Sequence, residues 1–492
     1  MNIFKKFTAI TFITILFLAG CNEYVDIDPE ATIDADSFFQ APQDYEDALI
    51  AAYDLLQTSY LSLWIGEIAS DNSLAGGESP TDTEGLHQID AMTHGAVNAE
   101  LRNIWRWMYA GITRVNFIFV NKDNIDFDQK ERILAEASFL RAYYYFELVK
   151  FFGDVPLVVD RLLSISDVAT LERTPATDVY SQIEIDLLAA AEEGVLDWTS
   201  PEKGRVTRGA ALSLLGRVYL YQNNFEAAAT VLETVISEGP YDLFDDYSTM
   251  FRLDNEGNIE TVFDIQYVGI EGGGYDCFVC LEGFAAPGFH GIRQYSGPVY
   301  SDGNSYNVPT QDLVDEFEEG DPRLDASILD IEAFIGANPN EEITYVAGDQ
   351  HTGFYNNKYL KRANELGAPD TDLTSPLNHR VIRFADVLLM AAEANNRKSN
   401  PDDEKARTYL NRVRNRIDLN DVTSSGNELT DAIYHERRVE FAGEGFHFFD
   451  LVRTGRAADE IPGFTVGKNE IFPIPQDEID LAGAGWQQNP NY

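Results

Sequence analysis

Apolar positions recur at helical spacing along most of the chain. Between residues 99 and 121 the apolar side chains fall three or four positions apart, so they share one face of a helix. Residues 43–61 and 128–152 repeat this pattern, and the second of these segments stops before Gly153 and Pro156. We therefore predict amphipathic helices over all three segments.

Two further segments predict helical hairpins. Residues 207–236 hold two apolar-periodic runs separated by consecutive asparagines, and residues 380–396 and 402–416 form a second pair around Pro401. Ala, Leu and Tyr alternate in these pairs with short Asn turns, which is typical of tetratricopeptide units, although their strict period of roughly 34 residues is absent. The pattern predicts a mostly α fold on a tetratricopeptide-like scaffold of helical hairpins, with long irregular loops and a few short strands.

Two stretches lack a helical period. Residues 66–96 are rich in Gly, Ser and Asp, and residues 254–378 combine many Gly, Pro and Tyr with a strand-like run from Thr261 to Tyr267. A long irregular segment in a compact protein is usually functional or disordered, and this aromatic content argues against disorder. We expect the helical scaffold over about 41–253 and 379–460, interrupted by an irregular insertion over about 254–378.

The amino terminus reads as a targeting signal. Lys5 and Lys6 precede an apolar run from Phe7 to Ala19, which is shorter than the ~20 residues of a membrane span and has the length of a signal-peptide core. The small residues before Cys21 resemble a bacterial lipobox, which predicts cleavage before Cys21 and acylation of its thiol; an ordinary secretory signal with a chance cysteine is the alternative. The predicted divisions are a lipoprotein signal peptide at 1–20, a lipidated tether at 21–40 and one domain at 41–492.

Charge and cysteine content narrow the function classes. The chain has 492 residues with 82 acidic and 36 basic side chains, a net charge of −46, which argues against binding the phosphate backbone of nucleic acids. Three cysteines cannot make a disulfide framework. Cys277 and Cys280 lie away from any helix start, where a redox pair would sit, and zinc would need a second ligand pair. A local disulfide and two buried thiols both stay open for this pair.

Six motifs follow one another along the chain and belong together. They are ASDN with GG at 69–77, FLRAYYYFELV with GDVPL at 139–157, RFADVLLMAAEA at 383–394, ERRVEFAGEG at 436–445, FPIPQ at 472–476 and QNPNY at 488–492. Together they resemble the SusD/RagB family of outer-membrane nutrient-binding lipoproteins, and they span nearly the whole mature chain.

The resemblance implies a role and partners. Members are lipid-anchored in the outer membrane, exposed at the cell surface, and cap a SusC-like TonB-dependent transporter as a lid. We therefore predict a glycan-binding lipoprotein that captures oligo- or polysaccharide and delivers it to such a transporter. The same role with peptide or other nutrient cargo, and a cryptic glycoside hydrolase, are the alternatives. The acidic composition resembles that of proteins from saline habitats and hints at a marine glycan such as laminarin.

Sugar binding requires flat apolar faces for the CH groups of the ring and polar groups for its hydroxyls. Aromatic residues near or within the irregular stretches, and polar residues of the first loop, supply both; core packing and turn formation are the alternative roles. The candidate ligand-binding residues are Trp64, Asp71, Asn72, Tyr275, Phe289, Tyr295 and Tyr300.

Catalytic and metal motifs are missing from the sequence. It contains no His-Glu-x-x-His, no Gly-x-Ser-x-Gly and no phosphate-binding loop. We expect a protein that is not an enzyme and needs no cofactor; structural calcium stays open, although no EF-hand-like loop is visible. The alternating charges at Glu436, Arg437, Arg438 and Glu440 predict ion pairs, which Glu444 and Arg453 could join.

Overall fold

The computed structural model describes residues 38–270, 274–365 and 372–492. The predicted signal peptide, the predicted lipidation site at Cys21 and nearly all of the tether lie outside the described residues. Within the described ranges, no helix has both the length and the apolar character needed to cross a bilayer.

Helices make up most of the regular structure. They are α1 Pro42–Asp54, α2 Tyr60–Ile68, α3 Glu84–Asp90, α4 Ala99–Asn121, α5 Lys130–Phe152, α6 Ile165–Val168, α7 Ala176–Ala190, α8 Arg208–Tyr221, α9 Phe225–Glu238, α10 Ala286–His290, α11 Gln311–Glu316, α12 Arg323–Ser327, α13 Ile331–Ala337, α14 Phe384–Arg397, α15 Asp403–Asn415, α16 Asn427–Glu440, α17 His447–Thr454, α18 Ala457–Glu460 and α19 Gln476–Ala482.

Side-chain caps set several of these boundaries. The side-chain oxygen of Asn98 accepts hydrogen bonds from the backbone N–H groups of Glu100 and Leu101, which starts α4. Thr207 starts α8 in the same way, and Gly153, at a φ of +70°, ends α5. The predicted bounds of α4 and α5 are confirmed to within two residues because these signals are local.

The scaffold is a chain of helices that pack side by side. Helix α4 packs on α1 and α5, α7 lies between α5 and α8, and α9 lies between α8 and α14. Glycines allow close approach, since a Cβ on Gly111 would lie 2.5 Å from the ring of Tyr144, and one on Gly216 would lie equally close to Leu232. The predicted mostly α fold with helical hairpins is confirmed.

Short strands tie the loops to the scaffold. The strands are β1 Ser73–Ala75, β2 Thr261–Ile265, β3 Ile292–Arg293, β4 Asp302–Gly303, β5 Asn307–Pro309, β6 Ile328–Asp330, β7 Phe354–Asn356 and β8 His379–Arg383. They form four two-stranded pairs: β1–β5, β2–β8 and β6–β7 are antiparallel, and β3–β4 is parallel.

Two predicted helices differ from the structure. The segment 43–61 breaks at a 3₁₀ helix, Leu55–Ser59, before α2 begins. The segment 380–396 becomes helical only at Phe384, because residues 379–383 pair with β2 instead. Long-range strand pairing overrides the local period at this point, which the apolar pattern could not reveal.

The ion pairs predicted around α16 are confirmed, but their partners come from other elements. Arg383 donates to Glu260 at 2.5 Å, to Glu440 at 2.9 Å and to Glu444 at 2.7 Å, and all four side chains are buried. Arg437 pairs with Asp386 rather than with a neighbour on its own helix. This buried network joins the carboxyl-terminal helices to β8 and α14.

Candidate functional site

Seven aromatic rings form a continuous cluster where the first irregular loop meets the insertion. At its centre, Trp64 stacks on Phe289 with ring centroids 5.0 Å apart and planes 8° from parallel. Other rings of the cluster lie 5.6–6.5 Å from one of these two or from the next ring outward. The members of this aromatic cluster are Tyr60, Trp64, Trp107, Tyr275, Phe278, Phe289 and Tyr306.

The inner rings of the cluster are covered. Trp64 is only 6% exposed and Phe289 only 4%, so neither presents a face to solvent. The sequence predicted Trp64 as a stacking platform; in the structure it is instead the base on which outer rings rest. Every residue of α2 is buried, so Trp64 is covered even though an irregular loop follows the helix.

The outer ring that faces solvent is Tyr275. It is 49% exposed, and its edge meets Phe278 at a centroid distance of 5.9 Å. Phe278 contacts Phe289 at 6.2 Å, so the exposed ring is connected to the covered base. Rings supported from beneath lose little freedom when a ligand binds, which favours affinity.

A disulfide closes the turn that carries Phe278 and begins two residues after Tyr275. Cys277 and Cys280 are bonded to each other, and the backbone N–H of Cys280 also donates to the carbonyl of Cys277 at 2.9 Å. Of the two alternatives that the sequence left open, the structure therefore has the local disulfide. The cross-link holds Phe278 against the cluster and restricts the backbone beside Tyr275.

Two glycines of the first loop bring a second outer ring into place. Gly77 has a φ of +112°, and a Cβ there would lie 3.1 Å from the ring of Tyr306 and 3.0 Å from a carboxylate oxygen of Asp82. The backbone N–H of Gly76 donates to the carbonyl of Tyr306 at 3.1 Å. The loop can approach the insertion this closely only because these positions lack side chains.

Two carboxylates lie beside the outer rings and accept hydrogen bonds from the tyrosine hydroxyls. The hydroxyl of Tyr275 donates to Asp372 at 3.1 Å, and that of Tyr306 donates to Asp82 at 3.4 Å. Burial, followed by the charge of Asp82, raises the pKa of Tyr306 to about 12, so its hydroxyl stays protonated at neutral pH. We call the surface formed by Asp82, Tyr275, Phe278, Tyr306 and Asp372 the Tyr275 face.

Asp71 and Asn72 serve a different purpose in the structure. Asp71 pairs with Arg438 at 2.7 Å and with His447 at 3.0 Å. Asn72 is buried, and its side-chain oxygen accepts from Arg438 at 2.9 Å. Both residues latch the first loop to α16 and α17, and their polar atoms are directed into the protein.

Tyr295 and Tyr300 also lie inside the protein. They are 6% and 7% exposed and belong to a small second core within the insertion. The hydroxyl of Tyr295 donates to the carbonyl of Pro298 at 2.6 Å, and the guanidinium of Arg362 covers Tyr300. Of the seven predicted residues, the structure brings Trp64, Tyr275 and Phe289 together, and only Tyr275 is exposed.

Sequence reasoning missed most of the Tyr275 face. Phe278 lies between the two cysteines, Tyr306 lies three residues after Gly303 in the insertion, and Asp82 lies in the first loop. The only feature of the sequence that could have pointed to them is that they lie within the two stretches without a helical period. Among the described residues, no group of three or more His, Cys, Asp or Glu is arranged to hold a metal ion.

Comparison with known proteins places this architecture in a family. A model described as "SusD family" matches residues 254–492, and one described as "Starch-binding associating with outer membrane" matches residues 23–220. A solved structure titled "Laminarin binding SusD-like protein" is 34% identical, with 92% of this chain and 99% of that chain covered and a TM-score of 0.83. The chain belongs to the SusD/RagB family. The family predicted from the six motifs is thus confirmed.

Other SusD-like relatives agree over the same length. The structure of surface glycan-binding protein A from Bacteroides thetaiotaomicron in complex with laminarihexaose is 26% identical, covers 92% of this chain and 100% of its own, and has a TM-score of 0.80. SusD-like protein P2 from Formosa agariphila is 27% identical over 99% of this chain and 100% of its own length. This SusD-family chain is therefore similar over 92% of its length to two solved structures whose names include laminarin or surface glycan binding.

Proposed function

We propose that this SusD-family protein captures a glycan of the laminarin type at the cell surface through the Tyr275 face. The observation that carries the proposal is the half-exposed ring of Tyr275, held on a covered aromatic base and edged by carboxylates. The 34% identical relative named for laminarin binding supports this choice of glycan.

The residues of the face fit the two sides of a sugar. The CH groups of a pyranose ring stack on Tyr275 and Phe278, while its hydroxyls donate to Asp82 and Asp372. Capture of this kind makes and breaks no covalent bond, so it requires neither catalytic residues nor a cofactor. An exposed ring beside carboxylates suits sugars better than peptides, whose backbone amides pair with strand edges or helix ends.

Delivery completes the proposed role. A lipid on Cys21 anchors the protein to the outer membrane, and a SusC-like TonB-dependent transporter receives the glycan. The lipobox-like sequence before Cys21 supports the anchor, and the family model described as associating with the outer membrane supports the location. The transporter follows from the family resemblance.

Replacing Tyr275 tests the proposal. We expect Tyr275→Ala to weaken binding of laminarihexaose by about fivefold or more, because losing a central aromatic contact of a binding site costs ~1 kcal/mol or more. Tyr275→Phe, which keeps the ring and removes the hydroxyl that donates to Asp372, retains most of the affinity. Isothermal titration calorimetry measures both, with affinity electrophoresis on laminarin as a screen.

Val299→Ala is a matched control, because Val299 is about as exposed as Tyr275 and lies outside the face. We expect this variant to bind like the wild type. If Tyr275→Ala bound laminarihexaose as tightly as the wild type, Tyr275 would not be a ligand contact. Failure of the wild type to bind laminarin, together with binding of another glycan or a peptide, would replace the proposed ligand.

A further inference from the structure

A cleft lined by both polar and apolar side chains opens at the base of the loop that carries Tyr275. It consists of two adjoining cavities of about 360 and 270 Å³, one on each side of the turn from Lys203 to Arg205. We call it the Lys203 cleft, and its lining includes Gln57, Lys203, Tyr241, Asn258, Gln266 and Glu282.

A glycine shapes the cleft. Gly204 has a φ of +79°, and a Cβ at this position would overlap the side chain of Gln266. The turn therefore lies directly on Gln266 and separates the two cavities, while Lys203 and Gln266 border both of them. A larger residue at position 204 would push the turn outward and change the shape of the opening.

Residues 274–282, part of the loop that carries Tyr275, link the Tyr275 face to the cleft, because they include Tyr275 and Phe278 and end at Glu282, which lines the cleft. The backbone N–H of Val268 donates to the carbonyl of Glu282 at 2.9 Å, which closes the base of this loop, and Tyr275 and Phe278 lie on it. Phe278 and Glu282 are only four positions apart in the chain, so their Cα atoms are at most ~14 Å apart. The turn from Phe278 to Cys280 also packs on Leu55–Ser59, the segment that contributes Gln57 to the cleft.

The polar groups of the cleft suit hydroxyls. Lys203 is exposed and has neither an ion pair nor a hydrogen bond within the described part of the chain, so its ammonium is available to a ligand. The carboxylate of Asp264 on the floor already accepts from Gln266 at 2.9 Å and from Asn378 at 3.2 Å. Because these amide groups occupy its carboxylate oxygens, Asp264 is a poor ligand for a metal ion.

The charge state of the floor points the same way. Burial raises the pKa of Asp264, and burial also raises that of Glu256, which lies close to Asp264 and Lys203, to about 7. A raised pKa favours the protonated carboxyl group, which both donates and accepts hydrogen bonds. A neutral polyol is therefore a better match than a metal ion or an anion.

We propose that the Lys203 cleft is a second subsite, which holds further sugar units of the same glycan chain whose leading units stack on Tyr275. This inference rests on the proposed function, since it requires a glycan on the Tyr275 face. It assigns the protein a preference for longer chains, because only these reach from the ring platform past Phe278 to Gln57, Lys203 and Glu282.

The test compares chain lengths on a cleft variant. Calorimetry with laminaritriose, laminarihexaose and laminarin is done on the wild type and on the double variant Lys203→Ala/Glu282→Ala. We expect the variant to bind the trisaccharide as the wild type does and to bind the hexasaccharide and the polymer about tenfold more weakly. Lys122→Ala replaces a partly exposed lysine that pairs with Asp123 outside both sites; it is the control and should leave glycan affinity unchanged.

Hydrogen exchange gives an independent readout on the unmodified protein. The hexasaccharide should protect the backbone amides of residues 199–206 and 55–59, and the trisaccharide should leave them unchanged. A cleft variant with full affinity for the hexasaccharide, equal weakening for all chain lengths, or two trisaccharides bound per protein would each overturn the inference. If the wild type binds no glycan, the proposed function fails; if only Tyr275→Ala weakens binding, the inference alone fails.

Discussion

At the scale of single residues, burial separates rings that the sequence treats alike. Trp64 and Tyr275 both precede or occupy irregular stretches, yet one is covered and the other is half exposed. Trp64 lies on a helix that is buried on all sides, whereas Tyr275 lies on the surface just before the turn that the disulfide closes. One ring therefore stabilises the fold, and the other is available to bind.

Substitution of Trp64 should separate these roles. We expect Trp64→Ala to lower the free energy of unfolding by about 3–5 kcal/mol, because it removes a buried ring that stacks on Phe289. Tyr275→Ala should stay within ~0.5 kcal/mol of the wild type, since it removes an exposed ring. Denaturant unfolding followed by fluorescence and circular dichroism measures both, with Trp64→Phe as the conservative control. Full stability of Trp64→Ala combined with lost glycan affinity would instead make Trp64 a ligand contact.

At the scale of elements, two distant stretches are joined to form the Tyr275 face. Strand β1 of the first loop pairs with β5 of the insertion, and Gly76 and Gly77 let the backbones meet beside Tyr306. The disulfide then orders the turn that bears Phe278. Neither stretch forms the face alone, since each contributes rings or carboxylates that the other positions.

The contribution of the disulfide to glycan affinity can be measured by removing it. We expect Cys277→Ser/Cys280→Ser to bind laminarihexaose several-fold more weakly, because the freed turn must be ordered on binding. The melting temperature should change little, since the turn is at the surface and closes only a short loop. Calorimetry before and after mild reduction of the wild type measures the same effect.

The double serine variant supplies the control for that experiment. Reductant should have no further effect on it, which separates cleavage of this disulfide from any other action of the reagent. Unchanged affinity of the reduced wild type would show that the turn is ordered without its cross-link.

At the scale of the whole molecule, opposite pKa shifts limit stability on both sides of a pH optimum. Burial alone would raise the pKa of Glu444, but Arg383 and Lys358 outweigh it and hold that pKa below its usual range. Its contribution is present above the unfolded pKa and is lost as the pH falls. Burial raises the pKa of Glu67 to about 7, so its contribution is present below the unfolded pKa and is lost as the pH rises through 7.

Glu67→Gln should remove the alkaline part of this dependence. Glu67 is fully buried and accepts from the backbone N–H of Gly445 at 2.6 Å, a bond that a glutamine oxygen can keep. We expect the variant to gain up to about 3 kcal/mol over the wild type between about pH 5 and about pH 8. Thermal unfolding at both pH values measures this gain, with the exposed Glu404→Gln as control. An identical pH dependence of Glu67→Gln and the wild type would contradict the assignment.

The sequence by itself determined the helical scaffold and the family. Helical period, Asn and Thr caps and Gly ends act within a few residues, so α4, α5, α8 and α9 could be placed from local signals. Ordered motifs from the first loop to the last residue identified the SusD/RagB relationship. The strand run beginning at Thr261 was predictable for the same local reason.

Only the tertiary structure decided which rings meet solvent and which charges pair. Tyr275 and Tyr300 lie in the same insertion, but a ring is exposed or buried according to what segments far along the chain place over it. Asp71 is committed to Arg438, which is 367 residues away. Such contacts leave no periodic trace in the sequence, because they depend on how complete elements pack and not on the order of neighbouring residues.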